Sequence, residues 1–299
     1  MSPRAVVARA ASAPAWFVLS LLALLFSSGV QAAPPEPPTI QGRAAVLMDA
    51  DSGEILYALN PHRQLPPAST TKVLTTLIGL ETLSLNGKVM VSARAANTPP
   101  SRLGLRPGEA LSAMDLLYGM MLKSGNDASE VVAEAVAGSI PAFAEMMNAR
   151  ARLLGAFSSR FRNPHGLPND RHLSTAYDLA MIFRGAMRNP QFAEIVRTRN
   201  AFLRVEGGSD WRTIPVRNSN RLLTSFYGAS GGKTGYTRAA RRCFVGSGRR
   251  GGTHLVVAVL GSPTRSTLWA DVRALFEYGF ELRTPPTVAA VDDAAVQPL

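Results

Sequence analysis

The chain has 299 residues, 46% of them hydrophobic, which suffices for one large domain or two ordinary ones with a sizeable core. Its formal charge is +11, from 32 Lys and Arg against 21 Asp and Glu. A single cysteine, Cys243, excludes an internal disulfide, and the four histidines (62, 165, 172 and 254) show no H-x-x-x-H or similar pair, which argues against zinc.

The N-terminus reads as an export signal over residues 1–32. Arg4 and Arg9 form a charged start, Trp16 to Phe26 an apolar core too short for a membrane span, and Val30-Gln31-Ala32 a small-residue cleavage site. An uncleaved anchor is the alternative. Export changes the meaning of the charge: a basic cytoplasmic protein suggests nucleic acid, a basic exported one an anionic wall, membrane surface or acidic substrate. The basic residues are unevenly chosen, with only four lysines (Lys72, Lys88, Lys123, Lys233). Arginine stays protonated, whereas a lysine can be made neutral, so each lysine is a candidate for chemistry.

Residues 33–43 hold Pro34, Pro35, Pro37 and Pro38 and read as an extended tether. Ala44 to Met48 is a strand, Asp51-Ser52-Gly53 a turn and Glu54 to Ala58 the returning strand. A loop from Asn60 delivers the chain to Ser69-Thr70-Thr71-Lys72, which opens a helix with core residues Val73, Leu74, Leu77, Ile78 and Leu80. Lys88 to Ser92 is a short strand, and Ala93 to Gly108 is loop-like. Helices follow at Ser112–Met121, Ala128–Ala137 and Pro141–Leu154, and Ser174-Thr175 caps another through Met187. Arg197 to Arg217 reads as strand and loop. A strand meander then runs through Gly231–Thr237, Cys243–Ser247 and His254–Leu260, and Ser266 to Tyr278 is a terminal amphipathic helix. There is no internal repeat. Strands, then helices, then strands and one helix predict an α+β domain over residues 44–282, with an antiparallel sheet flanked by helices and a mostly helical subdomain. Residues 283–299 are a short polar tail with no C-terminal membrane anchor evident.

Three short motifs occur in order: Ser69-x-x-Lys72, Ser124-x-Asn126 and Lys233-Thr234-Gly235. A nucleophile and a possible base three residues apart share one helix face. Composition alone supplies about 0.3 matches to the first motif but only roughly 0.02 to the last. Ser-x-Asn recurs at Ser84-Leu85-Asn86, but that copy lies at the far end of the Ser69 helix, whereas Ser124 sits in a Gly-broken link between helices.

These motifs resemble the serine penicillin-binding proteins and β-lactamases, and most of all the low-molecular-mass D-alanyl-D-alanine carboxypeptidases of serine peptidase family S11. The resemblance runs from about Ala44 to Phe280. It also rests on Pro67-Ala68 before Ser69, Gly125 and Asp127-Ala128 around Asn126, and Asn163-Pro164-His165-Gly166-Leu167. Ser174-Thr175-Ala176, Asn218 to Leu223 and Tyr278-Gly279-Phe280 match as well. It implies the β-lactamase/transpeptidase-like fold and no cofactor. It implies Ser69 as nucleophile, Lys72 as its base and Ser124 as a proton relay to the leaving amine. Asn126 would hold the substrate amide and order Lys72. Lys233 and Thr234 would bind the terminal carboxylate, Gly235 would keep the strand bare, and the backbone N–H groups of Ser69 and Tyr236 would form the oxyanion hole. For Lys72 to serve as base near pH 7, its pKa must fall by about 3 units from 10.4. Burial and a nearby cation, which Lys233 would supply, both push that way.

The expected partners are peptidoglycan stem peptides, cut by a periplasmic or extracytoplasmic enzyme, and β-lactams as covalent inhibitors, with no nucleic acid. Phe157 to His172 holds no Glu and only Asp170, so a deacylating carboxylate of the β-lactamase kind is not in view. Two positions depart from the family pattern: Arg241 stands where a glycine is usual, and Leu268 where an Arg that helps bind the carboxylate is usual. The alternatives are a DD-endopeptidase cutting cross-links and an inactive wall-binding homologue. Gly228-x-Ser230-x-Gly232 fits a hydrolase elbow, but no acid followed by His lies after it. Gly232-Lys233-Thr234 lacks the first glycine of a P-loop, since residue 227 is Tyr.

Overall fold

The computed structural model describes residues 34–284, so the expected export signal and most of the polar tail lie outside the described residues. Five strands form one antiparallel sheet: β1 (Ala44–Asp49), β2 (Ile55–Leu59), β7 (Ala229–Thr237), β8 (Arg241–Arg250) and β9 (Thr253–Ser262), in the order β2-β1-β9-β8-β7. The remaining strands, β3 (Lys88–Met90), β4 (Ala110–Ser112), β5 (Asn200–Gly207) and β6 (Asp210–Arg217), form a second antiparallel sheet in the order β3-β4-β5-β6. The helices are α1 (Lys72–Thr82), α2 (Ala93–Ala96), α3 (Ala113–Leu122), α4 (Asn126–Ala137), α5 (Ile140–Leu153), α6 (Ala176–Ala186), α7 (Pro190–Arg197), α8 (Leu222–Ser225) and α9 (Arg265–Arg283). Among the described residues, no helix is long and apolar enough to cross a membrane.

The central strand β9 explains the layering. Its run Leu255 to Leu260 is apolar at every position because both sheet faces are covered. Alternation then divides it between two cores. Val256, Ala258 and Leu260 join Val46 and Met48 of β1 in a core shared with α1, α3 and α6. Leu255, Val257 and Val259 join Leu47 and the buried stripe Leu268, Val272, Leu275 and Phe276 of α9. Thr264 caps α9 by accepting from the Thr267 backbone N–H, and Asp271 accepts from the backbone N–H groups of Gln41 and Gly42 at 3.0 and 2.9 Å. The ordered fold therefore takes in residues that the sequence places in the Pro-rich tether, with Ile40 buried against α9.

The expected α+β architecture and antiparallel sheet are borne out. Several local expectations need correction. Ala93–Gly108 contains the helical turn α2 and leads into β4. Arg197–Arg217 is a full hairpin, β5 and β6, whose Leu203, Val205, Ile214 and Val216 point inward. Helix α7 lies in a stretch without a sequence prediction, and Asn189 caps it by accepting from the N–H groups of Gln191 and Phe192. Helix α4 begins at Asn126, two residues before the expected start.

Candidate active site

Ser69 lies in a 3-10 turn, Ala68–Thr71, which runs directly into α1. The structure thus replaces the expected first turn of an α-helix with a tighter one. In a 3-10 turn residues i and i+3 eclipse each other, which sets Ser69 over Lys72 more squarely than an α-turn does. Ala68 holds φ of +50°, an uncommon conformation for a residue with a side chain. It turns the chain beneath Gly166, where a Cβ would stand 1.8 Å from the Ala68 carbonyl oxygen. Thr71 and Thr75 tie the turn to the 163–172 loop: Thr71 Oγ1 meets His172 Nε2 at 2.9 Å, and Thr75 Oγ1 donates to the Pro164 carbonyl at 2.6 Å.

Lys72 is wholly buried. Its Nζ lies 3.1 Å from Ser69 Oγ, 2.7 Å from Asn126 Oδ1 and 2.8 Å from the His165 carbonyl oxygen. Asn126 Nδ2 donates to the Pro99 carbonyl at 2.9 Å, which fixes the amide with its oxygen toward Lys72. Two of the three partners can therefore only accept. A neutral amine has two N–H groups, and these two oxygens take both. Its lone pair is left for the hydroxyl of Ser69. Burial pushes the Lys72 pKa well below its ordinary value, the charge of Lys233 pushes further, and Asp127 opposes them. Lys233 is itself buried on β7, and burial brings its pKa down to about 7. Its Nζ donates to the Thr234 carbonyl at 3.1 Å.

The edge strand β7 is pressed against the Ser69 turn. A Cβ on Gly235 would lie 3.0 Å from both the Ser69 amide nitrogen and the Pro67 carbonyl oxygen. The glycine is needed for this approach, a reason the sequence did not supply. Thr234 Oγ1 and Ser219 Oγ share a 2.7 Å hydrogen bond on the wall of the same cleft. Ser124 also lines the cleft, with φ of +68°, and among the described residues its hydroxyl has no hydrogen bond. Residues in this region of φ cluster at functional sites; here Ser124 lines the cleft and Ala68 directly precedes Ser69.

All three motifs thus meet at one cavity of about 1270 Å³, which Ser69, Ser124, Asn126, Thr234, Gly235 and Tyr236 line. Lys72 and Lys233 sit behind that wall. The second Ser-x-Asn copy does not line it. Asp170 is exposed, and among the described residues no Asp or Glu lines the cavity.

The sequence did not single out the support behind Lys72. The Leu167 N–H donates to His165 Nδ1 at 3.1 Å, so the His165 proton belongs on Nε2, 3.2 Å from Glu130 Oε1. Burial acts to raise the Glu130 pKa, but its bonds from His165 and Arg94 and their charges hold it below the ordinary value. Burial lowers His165, against the Glu130 bond. His172 accepts from the Arg162 N–H on Nδ1 at 3.0 Å and is brought down to about 3 by burial, so it stays neutral. Arg241, at the family's glycine position, holds φ of +58° at the exposed β7–β8 turn. Leu268 is buried and lines the cavity, one turn of α9 after Arg265, which lines it too.

Comparison with known proteins agrees with this geometry. Residues 31–264 match the family model of the S11 peptidases, described as D-alanyl-D-alanine carboxypeptidase. The D-alanyl-D-alanine carboxypeptidase DacB2 of Mycobacterium tuberculosis is 39% identical over 254 residues, covering 82% of this chain and 84% of its own. DacF of Bacillus subtilis is 33% identical, and the match spans 62% of its length. The crystal structure of the Streptomyces K15 DD-transpeptidase superposes with a TM-score of 0.80 at 30% identity, covering 82% of this chain and 99% of that one. The chain belongs to the S11 serine peptidases, the family of the D-alanyl-D-alanine carboxypeptidases.

Proposed function

We propose that this protein is an exported D-Ala-D-Ala carboxypeptidase that trims peptidoglycan stem peptides through an acyl-enzyme on Ser69. The observation that carries the reading is the set of three contacts of buried Lys72, which leave a neutral amine only the Ser69 hydroxyl to accept from. Lys72 takes the Ser69 proton as Oγ attacks the carbonyl of the penultimate D-Ala. The backbone N–H groups of Ser69 and Tyr236 stabilise the oxyanion. Ser124 passes a proton to the leaving amine. Asn126 holds the substrate amide, and Thr234 with Lys233 receives the terminal carboxylate. The acyl-enzyme is then hydrolysed. The same attack opens a β-lactam ring, whose leaving amine stays tethered beside the ester and obstructs water, so the ester persists and penicillin inhibits. The signal at 1–32 and the basic surface suit an enzyme at an anionic wall.

Product analysis tests the cut. Incubation with a pentapeptide ending in D-Ala-D-Ala should release free D-Ala and leave the tetrapeptide. A cross-linked muropeptide cut in two, with the pentapeptide untouched, would instead establish an endopeptidase.

A further inference from the structure

Six arginines line the active-site cavity (Arg199, Arg217, Arg221, Arg242, Arg265 and Arg273), with no carboxylate among the lining residues. None of the six forms an ion pair with another described residue. Four of the six are exposed and two half-buried, and together they give the cavity a positive field that favours an anionic ligand. Four of them border the part of the cavity walled by α8 and α9: Arg221 precedes α8, Arg265 and Arg273 lie on α9, and Arg242 of β8 pairs with Ser262 just before α9. Arg242 stacks its guanidinium 3.9 Å from the Tyr236 ring, and Arg273 Nη2 donates to Ser225 Oγ at 2.6 Å, bridging the two helices. Arg221 and Arg265 complete the walls. Two buried donors of groove residues, Asn220 Nδ2 and Trp269 Nε1, have no acceptor among the described residues.

We infer that the arginine groove between α8 and α9 is a subsite for the leaving side of the scissile bond, and that it selects leaving groups carrying a second carboxylate beyond the terminal one. This goes beyond the release of D-Ala, which carries one carboxylate, and rests on the proposed function for its direction, which follows from Thr234 receiving the terminal carboxylate. Guanidinium forks bind carboxylates in pairs of hydrogen bonds, and the arginines need no proton loss or gain to do so. In the reaction the amide bond breaks, the acyl carbon bonds to Ser69 Oγ and the leaving amine takes a proton. Peptides that differ only in the leaving residue give the same acyl-enzyme. Their difference is therefore read in kcat/KM, which covers acylation, and not in hydrolysis of the intermediate.

The experiment compares three peptides with one acyl part and D-Ala, D-Gln or D-Glu as the leaving residue. D-Glu should exceed its neutral isostere D-Gln by about tenfold in kcat/KM, the worth of a charged hydrogen bond. That ratio should shrink as salt is raised. It should fall towards unity in the Arg265→Gln, Arg273→Gln double variant, with penicillin acylation of the same preparation reporting that the site is assembled. Equal kcat/KM for D-Glu and D-Gln in the wild type, or a ratio that survives in the variant, overturns the subsite alone. No turnover of any peptide by the wild type overturns the proposed carboxypeptidase activity, and this inference with it.

Discussion

Lys72 Nζ reaches Ser69 Oγ at 3.1 Å from wholly inside the protein, while the Asn126 and His165 oxygens occupy its other two directions. Acylation therefore needs Lys72 neutral, while Lys233, its pKa brought down to about 7 by burial, titrates beside it. The neutral amine is the active form, so the second-order rate of penicillin acylation should rise with pH. Because the pKa of Lys72 is held well below its ordinary 10.5, the rise should be complete before that pH is reached. Stopped-flow acylation between pH 5 and 10 measures the limb. A rate that falls as pH rises from 5 to 7 would rule out Lys72 as the base.

Lys233 contributes to that low pKa through its charge. Lys233→Met keeps most of the buried volume and removes the cation. The rising limb should move to higher pH, because the protonated form of Lys72 then loses a repulsive neighbour. The loss of a carboxylate partner should also raise KM for peptides. An unmoved limb would show that burial alone sets the Lys72 pKa.

Two glycines with the same φ of +84° separate space from conformation. At Gly104 a Cβ would meet nothing within 4 Å, and Gly104→Ala should cost only the backbone strain, about 1 kcal/mol. At Gly166 the Cβ would overlap the Ala68 carbonyl, so Gly166→Ala should cost more than about 3 kcal/mol and displace Ser69. Urea unfolding of both variants makes the comparison. Equal losses would mean that the 163–167 loop does not bear on the Ser69 turn.

His172 carries an acid sensitivity. Its folded pKa of about 3 lies below the ordinary 6.5, so the unfolded chain binds the extra proton between those values. Stability from this group is full above pH 6.5 and is lost as pH falls towards 3, by an amount on the order of a few kcal/mol. Urea midpoints from pH 7 to pH 4 should fall for the wild type and fall less steeply for His172→Gln. Parallel slopes would assign the acid lability to other groups.

Much of this was legible in the sequence, for identifiable reasons. Of the β7–β9 meander, β9 showed itself through the apolar run Leu255 to Leu260, β8 through the shorter Cys243-Phe244-Val245, and β7 only through the Lys233-Thr234-Gly235 motif. The Ser69–Lys72 spacing pointed to one face whichever helix type formed, so the 3-10 turn changed the geometry without changing the pairing. Helix α7 is only eight residues long and is held by burial of Phe192, Ile195 and Val196, so local periodicity had little to show. The Glu130–His165 contact spans 35 residues and exists only once α4 and the 163–167 loop are packed behind Lys72. Gly235 was read as leaving room for substrate. It also faces the backbone of Pro67 and Ser69, a tertiary contact that no local pattern encodes.

The central claim is that Ser69 is the acylated nucleophile. Intact-protein mass spectrometry after exposure to penicillin, followed by peptide mapping, tests it most directly. The wild type should gain the mass of one penicillin on the peptide containing Ser69, and Ser69→Ala should gain none. An adduct that persists in Ser69→Ala, or a wild type that is never acylated, would contradict it.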